Sequence, residues 1–381
     1  MHEAEGRGAV RQHVLLVANY ADRVGGGEES LLTLARWLDR RRFAVHAIVP
    51  GEGELAEALR REGIPVAAVR YPSLRPWNAA ACLRTVSRFR SLMSSWKIRL
   101  VHAHGSRCAL YANLAARGLR VPVVWHVRVA DPDPLLDPIL LRMSAAVIAN
   151  SRATAGRLGS RRGALEKTRV IYNGVDLDQF ARAGATPAVR RALGPEGDHA
   201  VCAFIGRLEH GKGPDLLLDA APLIRKEVPR ASFVFIGQGP LRQALEARAR
   251  QQDLRASFVG QQADIAAWLH ACAVVVVPSR QEGFGRVVVE AMAAGVPVVA
   301  ARAGGIPEVC RHAVTGLLVP PEDPAALASA VVKTLKEEGD TKQRVAAAVE
   351  EVRARFSADG HAARVGELYD DLLRNTAVHA G

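Results

Sequence analysis

Cysteine is scarce in this 381-residue chain. Its five residues, Cys82, Cys108, Cys202, Cys272 and Cys310, are scattered without metal or disulfide spacing. A reduced, intracellular protein is the expectation. Aromatics make up 5% of the sequence and are not interleaved with basic residues, which argues against single-stranded nucleic-acid binding. No apolar run approaches the roughly 18 residues that a spanning helix needs. Val14–Ala18 is too short for a signal-peptide core and reads as a first buried strand. No Gly-x-Gly-x-x-Gly follows that strand, against a nicotinamide enzyme, and no Gly-x-x-x-x-Gly-Lys-Ser/Thr is present, against a P-loop ATPase. No His/Cys/Asp cluster has metal-ligand spacing, so neither metal nor cofactor is expected.

What is present is an alternation of short apolar strands and helical stretches, in two rounds. The first has strands expected at 13–18, 43–49, 64–70, 98–103, 121–127, 145–149 and 169–172, with helices such as 28–41, 78–96 and 107–117 between them. The second has strands expected at 200–205, 232–236, 256–259, 273–277, 296–300 and 316–319. It ends in a long helical stretch, 324–375, broken near Gly339 and Ser357. Alternation of this kind implies parallel sheets covered on both faces, an α/β fold of two doubly wound domains. A Gly-, Pro- and Ala-rich segment at 181–199 places the junction, giving domains 1–185 and 186–356 and a terminal helix, 357–381, returning to the first domain. Ligands of such sheets bind at the carboxyl ends of the strands, here in a cleft between the domains.

Charge is uneven. Residues 1–180 hold 27 Lys and Arg against 16 Asp and Glu, a net +11, and the rest hold 24 against 23, a net +1. An anionic partner of the first half is one reading: nucleic acid, lipid headgroups or a diphosphate-bearing acceptor. An ordinary solvated basic surface is the other.

The segment richest in chemistry is Pro278-Ser279-Arg280-Gln281-Glu282-Gly283-Phe284-Gly285, followed by Glu290. Valines at 274–277 lead into it as a buried strand, its glycines admit close backbone approach, and the following helix offers N–H groups to a phosphate. Eight helical steps separate the two carboxylates by at most about 12 Å, the span of a nucleotide sugar. A second segment, Gly206-Arg207-Leu208-Glu209-His210-Gly211-Lys212-Gly213, follows strand 200–205 and presents Arg207 and Lys212 at a strand end, where together they can neutralise a diphosphate.

These two segments, with Tyr172-Asn173-Gly174-Val175-Asp176 and Gly25-Gly26-Gly27-Glu28, occur in the order found in retaining glycosyltransferases of family 4. The sequence resembles that family from about Val14 to Tyr369. The resemblance implies the GT-B fold, two Rossmann-like domains facing each other across a cleft. It also implies retaining transfer of a sugar from a nucleoside diphosphate sugar, UDP- or GDP-linked, to a hydroxyl of a saccharide or lipid-linked acceptor in cell-envelope synthesis. Arg207 and Lys212 match the pair that holds the donor diphosphate and stabilises the leaving group. Glu282 matches the acid facing the transferred sugar, and Glu290 the acid on the ribose hydroxyls. Gly206, Gly283, Phe284 and Gly285 match donor-contacting loops, and Gly25 and Gly26 the glycine loop of the first domain. His126, ending a strand, matches a cleft histidine near the sugar, and His104 is an acceptor-side candidate. Two departures stand out: His126 is followed by Val127-Arg128 rather than Asp or Gly, and Arg286 takes a usually apolar place. Asp131-Pro132-Asp133 matches the metal-binding Asp-x-Asp of another transferase fold, but its proline-rich turn speaks against a metal there. Gln261 and Asp264 lie near the usual base-binding region, with no role assigned.

The acceptor is expected on the basic first domain. Arg40, Arg41 and Arg42 end one helix, and Arg84, Arg88 and Arg90 lie on another with Leu83, Phe89, Leu92, Met93 and Trp96. That stretch reads either as a contact with an anionic membrane, giving a cytoplasmic protein peripheral to the inner face, or as a core-packed helix with a basic outer side. A sugar-nucleotide epimerase on the same fold and a basic nucleic-acid-binding module are the alternatives to a transferase; no nucleic-acid partner is expected.

Overall fold

The computed structural model describes residues 11–22, 25–159, 161, 163–182, 184–193 and 199–378. Two all-parallel sheets carry the fold. The first contains β1 (Gln12–Val17), β2 (Phe43–Val49), β3 (Val66–Ala68), β4 (Leu100–His104), β5 (Val123–Val127), β6 (Ala146–Ala149) and β7 (Thr168–Val170), in the order β3-β2-β1-β4-β5-β6-β7. The second contains β8 (Ala200–Ile205), β9 (Ala231–Ile236), β10 (Ala256–Gly260), β11 (Val274–Val277), β12 (Val298–Ala301) and β13 (Leu317–Val319), in the order β10-β9-β8-β11-β12-β13. Helices cover both faces of each sheet. The valine run of β11 is buried throughout because a central parallel strand meets a helical layer on either side.

Each sheet reverses its strand order once, between β1 and β4 and between β8 and β11. Such reversals open a crevice at the carboxyl ends of the strands, because neighbouring connections leave to opposite faces. The loops after β1, β4, β8 and β11 are the ones that carry Gly25-Gly26, His104-Gly105, Gly206–Gly213 and Pro278–Gly285. Topology alone therefore gathers the sequence segments singled out above.

The crossings between the domains lie side by side. Val175 forms a parallel bridge with Ser357, and Gly174 sits where a Cβ would meet the Ala358 Cα and the Ser357 carbonyl oxygen, both at 2.7 Å. The Asn-Gly pair of the 172–176 segment thus lets two chain crossings touch. Val175, Phe180 and Val189 already belong to the core of the second sheet, so the chain enters that core ten residues before the expected boundary at 185. The 181–199 segment contains a helix, Pro187–Leu193, whose Val189 has apolar partners to bury against.

The last helix, Ala358–Val378, packs on the first domain, burying Ala362, Val365, Leu368 and Tyr369 in its core. The terminal stretch breaks at Glu337, near the expected Gly339, which itself lies in the first turn of the helix Glu338–Arg355. The second break falls at Phe356 and Ser357, beside the expected position.

The helix Ala79–Ser95 is core-packed. Phe89, Leu92 and Met93 are buried, and Arg90 donates to the carbonyls of Leu114, Ala115 and Arg117, closing the end of the helix Ser106–Ala116. These residues are therefore not free for a membrane contact. Arg40, Arg41 and Arg42 likewise have partners within the chain, the Ala35 carbonyl, Asp39 and Asp370. Among the described residues, no helix is long and apolar enough to cross a membrane.

Candidate active site

The loops after the four innermost strands line a cleft of about 2250 Å³ between the two sheets. Its second-domain wall is built from two loops that hold each other. The Arg280 and Gln281 N–H groups donate to the Gly211 carbonyl at 2.9 and 3.1 Å. Gly213 adopts φ +69°, and a Cβ there would stand 2.2 Å from the Pro278 carbonyl oxygen. Glycine is thus required for the two loops to close up. Arg280 fastens the pair from outside, with a fork onto Asp215 at 2.7 and 2.9 Å and a bond to Glu322 at 2.9 Å.

This packing brings Lys212 against Glu282, Nζ to Oε2 2.7 Å. Arg207 pairs with Glu209 at 2.9 Å and remains 58% exposed, reaching into the cleft. Glu290 is buried in the helix Arg286–Ala293 and accepts from Arg286 Nε at 2.6 Å. Burial raises the Glu290 carboxyl pKa, and the Arg286 charge partly offsets that rise. Arg286 also reaches the first domain, donating to the Gly174 carbonyl at 3.2 Å, and its stem packs under Gly26, where a Cβ would lie 3.2 Å from Arg286 Cδ.

Three glycine-loop residues have structural tasks that their motif does not disclose. Gly283 touches the first domain: a Cβ would sit 2.3 Å from the Arg128 carbonyl oxygen, and the Gly283 carbonyl accepts from Ser151 Oγ at 2.5 Å and Thr154 Oγ1 at 3.1 Å. Phe284 lines the cleft, and its buried ring, with Tyr172 and Phe356 packed around it, anchors the loop whose backbone N–H groups the family resemblance assigns to the donor. Gly285 takes φ +89° at the start of the helix Arg286–Ala293, a left-handed turn that glycine adopts without strain. Gly206, also with positive φ, and Gly25 line the cleft.

The first-domain wall holds a histidine cluster that spacing along the chain hid. His102, His104 and His126 come from the neighbouring strands β4 and β5 and bring ring nitrogens within 4.8 Å of one another. His102 Nε2 lies 3.1 Å from His126 Nδ1, and His102 Nδ1 lies 2.6 Å from the Tyr369 hydroxyl. Arg128 Nη2 contacts His104 Nδ1 and lies 3.5 Å from His126 Nδ1. Burial holds all three imidazoles well below the usual histidine range, with the Arg128 charge acting in the same direction. This is the one metal-sized cluster among the described residues, and its donor set fits a cation poorly. A guanidinium occupies the edge of two rings, and no carboxylate belongs to the group. In Asp131-Pro132-Asp133, Asp133 caps the turn before Leu136–Met143 by accepting from the Leu135 and Leu136 N–H groups at 3.0 and 2.9 Å. Asp264 caps the helix Ile265–Leu269.

A clamp between the domains was also not legible in the sequence. Glu308, from the second domain, accepts from the Arg152 and Ala153 N–H groups at 2.8 Å each and from the Tyr172 hydroxyl at 3.0 Å. It caps the short helix Arg152–Gly156 from across the interface, and nothing local to Glu308 signals that.

Comparison with known proteins agrees with this architecture. Residues 24–179 match the model of Glycosyltransferase Family 4, and residues 199–337 match that of Glycosyl transferases group 1. The D-inositol 3-phosphate glycosyltransferase of Streptomyces scabiei is 34% identical over 307 residues, covering 72% of this chain and 68% of that protein. The chain belongs to glycosyltransferase family 4. The corresponding Catenulispora acidiphila enzyme is 31% identical over 350 residues, covering 81% and 82% of the two chains. Among solved structures, Anabaena HepE in complex with UDP and glucose superposes with a TM-score of 0.80 at 25% identity, over 95% of this chain and all of that one. Its complex with UDP-glucose gives 0.79 at 26% identity, covering 94% and 99%. The two facing sheets are those of the GT-B fold, and the protein is a glycosyltransferase.

Proposed function

We propose that the enzyme transfers a sugar, with retention of configuration, from a nucleoside diphosphate sugar to a hydroxyl of a saccharide or lipid-linked acceptor in glycan or cell-envelope synthesis. UDP- and GDP-sugars are the donors to try first, and UDP-glucose has support from the likeness to HepE. The relatives' name adds inositol 3-phosphate to the acceptors worth testing. The observation that carries the reading is the convergence of Arg207, Lys212, Glu282 and Glu290 on one cleft wall.

In this reaction the bond between the anomeric carbon and the diphosphate oxygen breaks, and the diphosphate leaves with the electron pair. Arg207, Lys212 and the N-terminus of the helix Arg286–Ala293 stabilise the growing negative charge. The acceptor oxygen forms its bond on the face the diphosphate leaves, and the acceptor proton passes to the departing phosphate oxygen. Donor binding exchanges the Lys212–Glu282 bond for two others: Lys212 turns to phosphate, and Glu282 accepts from hydroxyls of the moving sugar. Glu290 accepts from the ribose hydroxyls once Arg286 gives up its bond. His126 hydrogen-bonds the transferred sugar, and His104 lies toward the acceptor. Positive charge comes from side chains and a helix end, so the proposed reaction needs no metal and no cofactor.

The test is to supply UDP-glucose, UDP-galactose and GDP-mannose with candidate acceptors and read the anomeric configuration of the product by NMR. Retention is expected, and an inverted product overturns the mechanism.

Peripheral attachment to an anionic membrane is the second part of the proposal. Its support has moved from the buried face of the helix Ala79–Ser95 to its solvent face and the segment entering it. There Leu74, Trp77 and Leu83 are exposed, with Arg84 and Arg88 also in solvent and Arg75 over the Trp77 ring at 5.2 Å. Flotation with anionic vesicles at low salt should recover the protein, and Trp77→Ser should release it. No binding by the natural protein removes this part.

A further inference from the structure

The histidine cluster has a defined proton arrangement, and Arg128 dictates it. A guanidinium has donors only and keeps its proton. The nitrogens it approaches, His104 Nδ1 and His126 Nδ1, must therefore be acceptors, and both rings carry their proton on Nε2. With His126 Nδ1 accepting, His102 Nε2 donates to it. His102 Nδ1 is then left to accept from the Tyr369 hydroxyl. Burial raises the Tyr369 pKa and so keeps that hydroxyl proton in place.

The chain of donors runs outward and ends at the cleft. His104 Nε2, His126 Nε2, Arg128 Nε and Arg128 Nη1 are all buried and have no hydrogen-bond partner among the described residues. His104 is 4% exposed and His126 fully buried, yet both rings and Arg128 line the cleft. Among the described residues Arg128 makes no ion pair. Glu28 is the carboxylate that acts on it, through space only, and burial pushes the Glu28 carboxyl up against that attraction. Buried donors without partners carry an uncompensated desolvation cost, so a guest that supplies acceptors is strongly favoured. A hydroxyl brings a proton with its oxygen. A phosphate or carboxylate brings bare oxygens and the charge that Arg128 lacks.

We propose that Arg128, His104 and His126 form an anion subsite, separate from the diphosphate contacts of Arg207 and Lys212, that takes a phosphate or carboxylate borne by one of the two sugar substrates. The group sits on the acceptor or on the transferred sugar, and Arg128 acts as the specificity residue for it. The naming of the two substrates rests on the glycosyl-transfer reading; the subsite itself does not.

The experiment compares the natural enzyme, Arg128→Gln and Arg128→Lys on paired probes. Acceptors are a panel of sugar and polyol phosphates against their dephosphorylated counterparts; donors are UDP-glucuronate against UDP-glucose. The natural enzyme should prefer the anionic member of one pairing. Arg128→Gln should cut that preference at least tenfold, and Arg128→Lys should restore most of it. The pairing that responds identifies which substrate carries the charge. UDP titration controls for folding and for the diphosphate site, and should stay within threefold of the natural enzyme. Equal loss on charged and neutral members overturns the proposal, as does a natural enzyme that prefers neither anion. Loss of UDP affinity in Arg128→Gln also overturns it, because Arg128 then serves the diphosphate. Titration with inorganic phosphate separates the two readings: binding that is lost in Arg128→Gln, in a protein that fails to bind UDP, supports the subsite while retiring glycosyl transfer.

Discussion

The two walls of the cleft come from sheets with the same strand order, but they handle charge differently. On the second-domain wall, Lys212, Arg207 and Arg286 each hold a carboxylate, Glu282, Glu209 and Glu290 respectively. On the first-domain wall, Arg128 faces neutral imidazoles and no bonded carboxylate. Paired cations carry their counter-ions with them, so a diphosphate entering that side must exchange for a carboxylate already present. The exchange costs little net charge separation and leaves a carboxylate free for sugar hydroxyls. Arg128 on the first-domain wall has no such bonded carboxylate to exchange among the described residues, although Arg36 and Arg157 on the same wall hold Glu62 and Asp137. Its donors are fixed by buried strands and by the returning helix Ala358–Val378, and they wait in one orientation. The same topology thus provides one wall that rearranges and one that is preorganised.

The strongest way to break this contrast is Lys212→Ala. Removing a cation aimed at developing charge should lower kcat by about 10²–10³-fold with the true donor. Near-normal turnover would make the Lys212–Glu282 pair a structural tie and nothing more. Second is Gly283→Ala, which presses a Cβ to 2.3 Å from the Arg128 carbonyl oxygen. A loss of about 2–3 kcal/mol in unfolding stability is expected, read by denaturant titration. An unchanged midpoint would mean that the two walls do not meet at this loop.

The buried imidazoles give a smaller, pH-dependent effect. Burial and neighbouring arginines lower His361 to about 3. Between pH 6.5 and that value the unfolded chain binds a proton that the folded chain refuses, so stability falls as pH falls. The slope reaches about 1.4 kcal/mol per pH unit for this one residue. His102, His104 and His126 shift in the same direction, whereas Glu28 and Glu290, raised by burial, bind protons in the folded state and oppose it. Thermal unfolding from pH 7 to pH 5 should show a falling midpoint, with a shallower slope in His361→Asn. A flat profile would mean that these rings titrate in the folded protein as they do in the unfolded chain. Glu308→Gln gives the smallest change, about 1 kcal/mol, as the cap on Arg152–Gly156 weakens from a charged to a neutral one. Calorimetry would detect it as a lower transition of the joined domains.

Much of the fold was legible because buried parallel strands are written as apolar runs. Phe43–Val49 and Ala200–Ile205 coincide with their expected bounds, and Val274–Val277 begins one residue late. The donor-side segments were legible because strand, glycine turn and helix follow one another locally. Reading failed where a residue's task lies across space. Nothing near Glu308 announces a cap on another domain, and nothing local to Phe284 tells that its ring packs against Tyr172 and Phe356. The helix Pro187–Leu193 was hidden by the Gly, Pro and Ala around it, since its stability comes from Val189 meeting the second core. The break expected near Gly339 falls at Glu337, and the glycine itself is taken into the first turn of the next helix. His102 lies within the strand β4, and only the pairing of β4 with β5 sets it between His126 and Tyr369.

The division of labour between the walls is tested most directly by titrating UDP into the natural enzyme, Lys212→Ala and Arg128→Gln in a calorimeter. Loss of one charge-assisted contact should weaken UDP binding about ten- to a hundredfold in Lys212→Ala, while Arg128→Gln should bind as the natural enzyme does. UDP affinity that is unchanged in Lys212→Ala, or that falls in Arg128→Gln, would contradict the account.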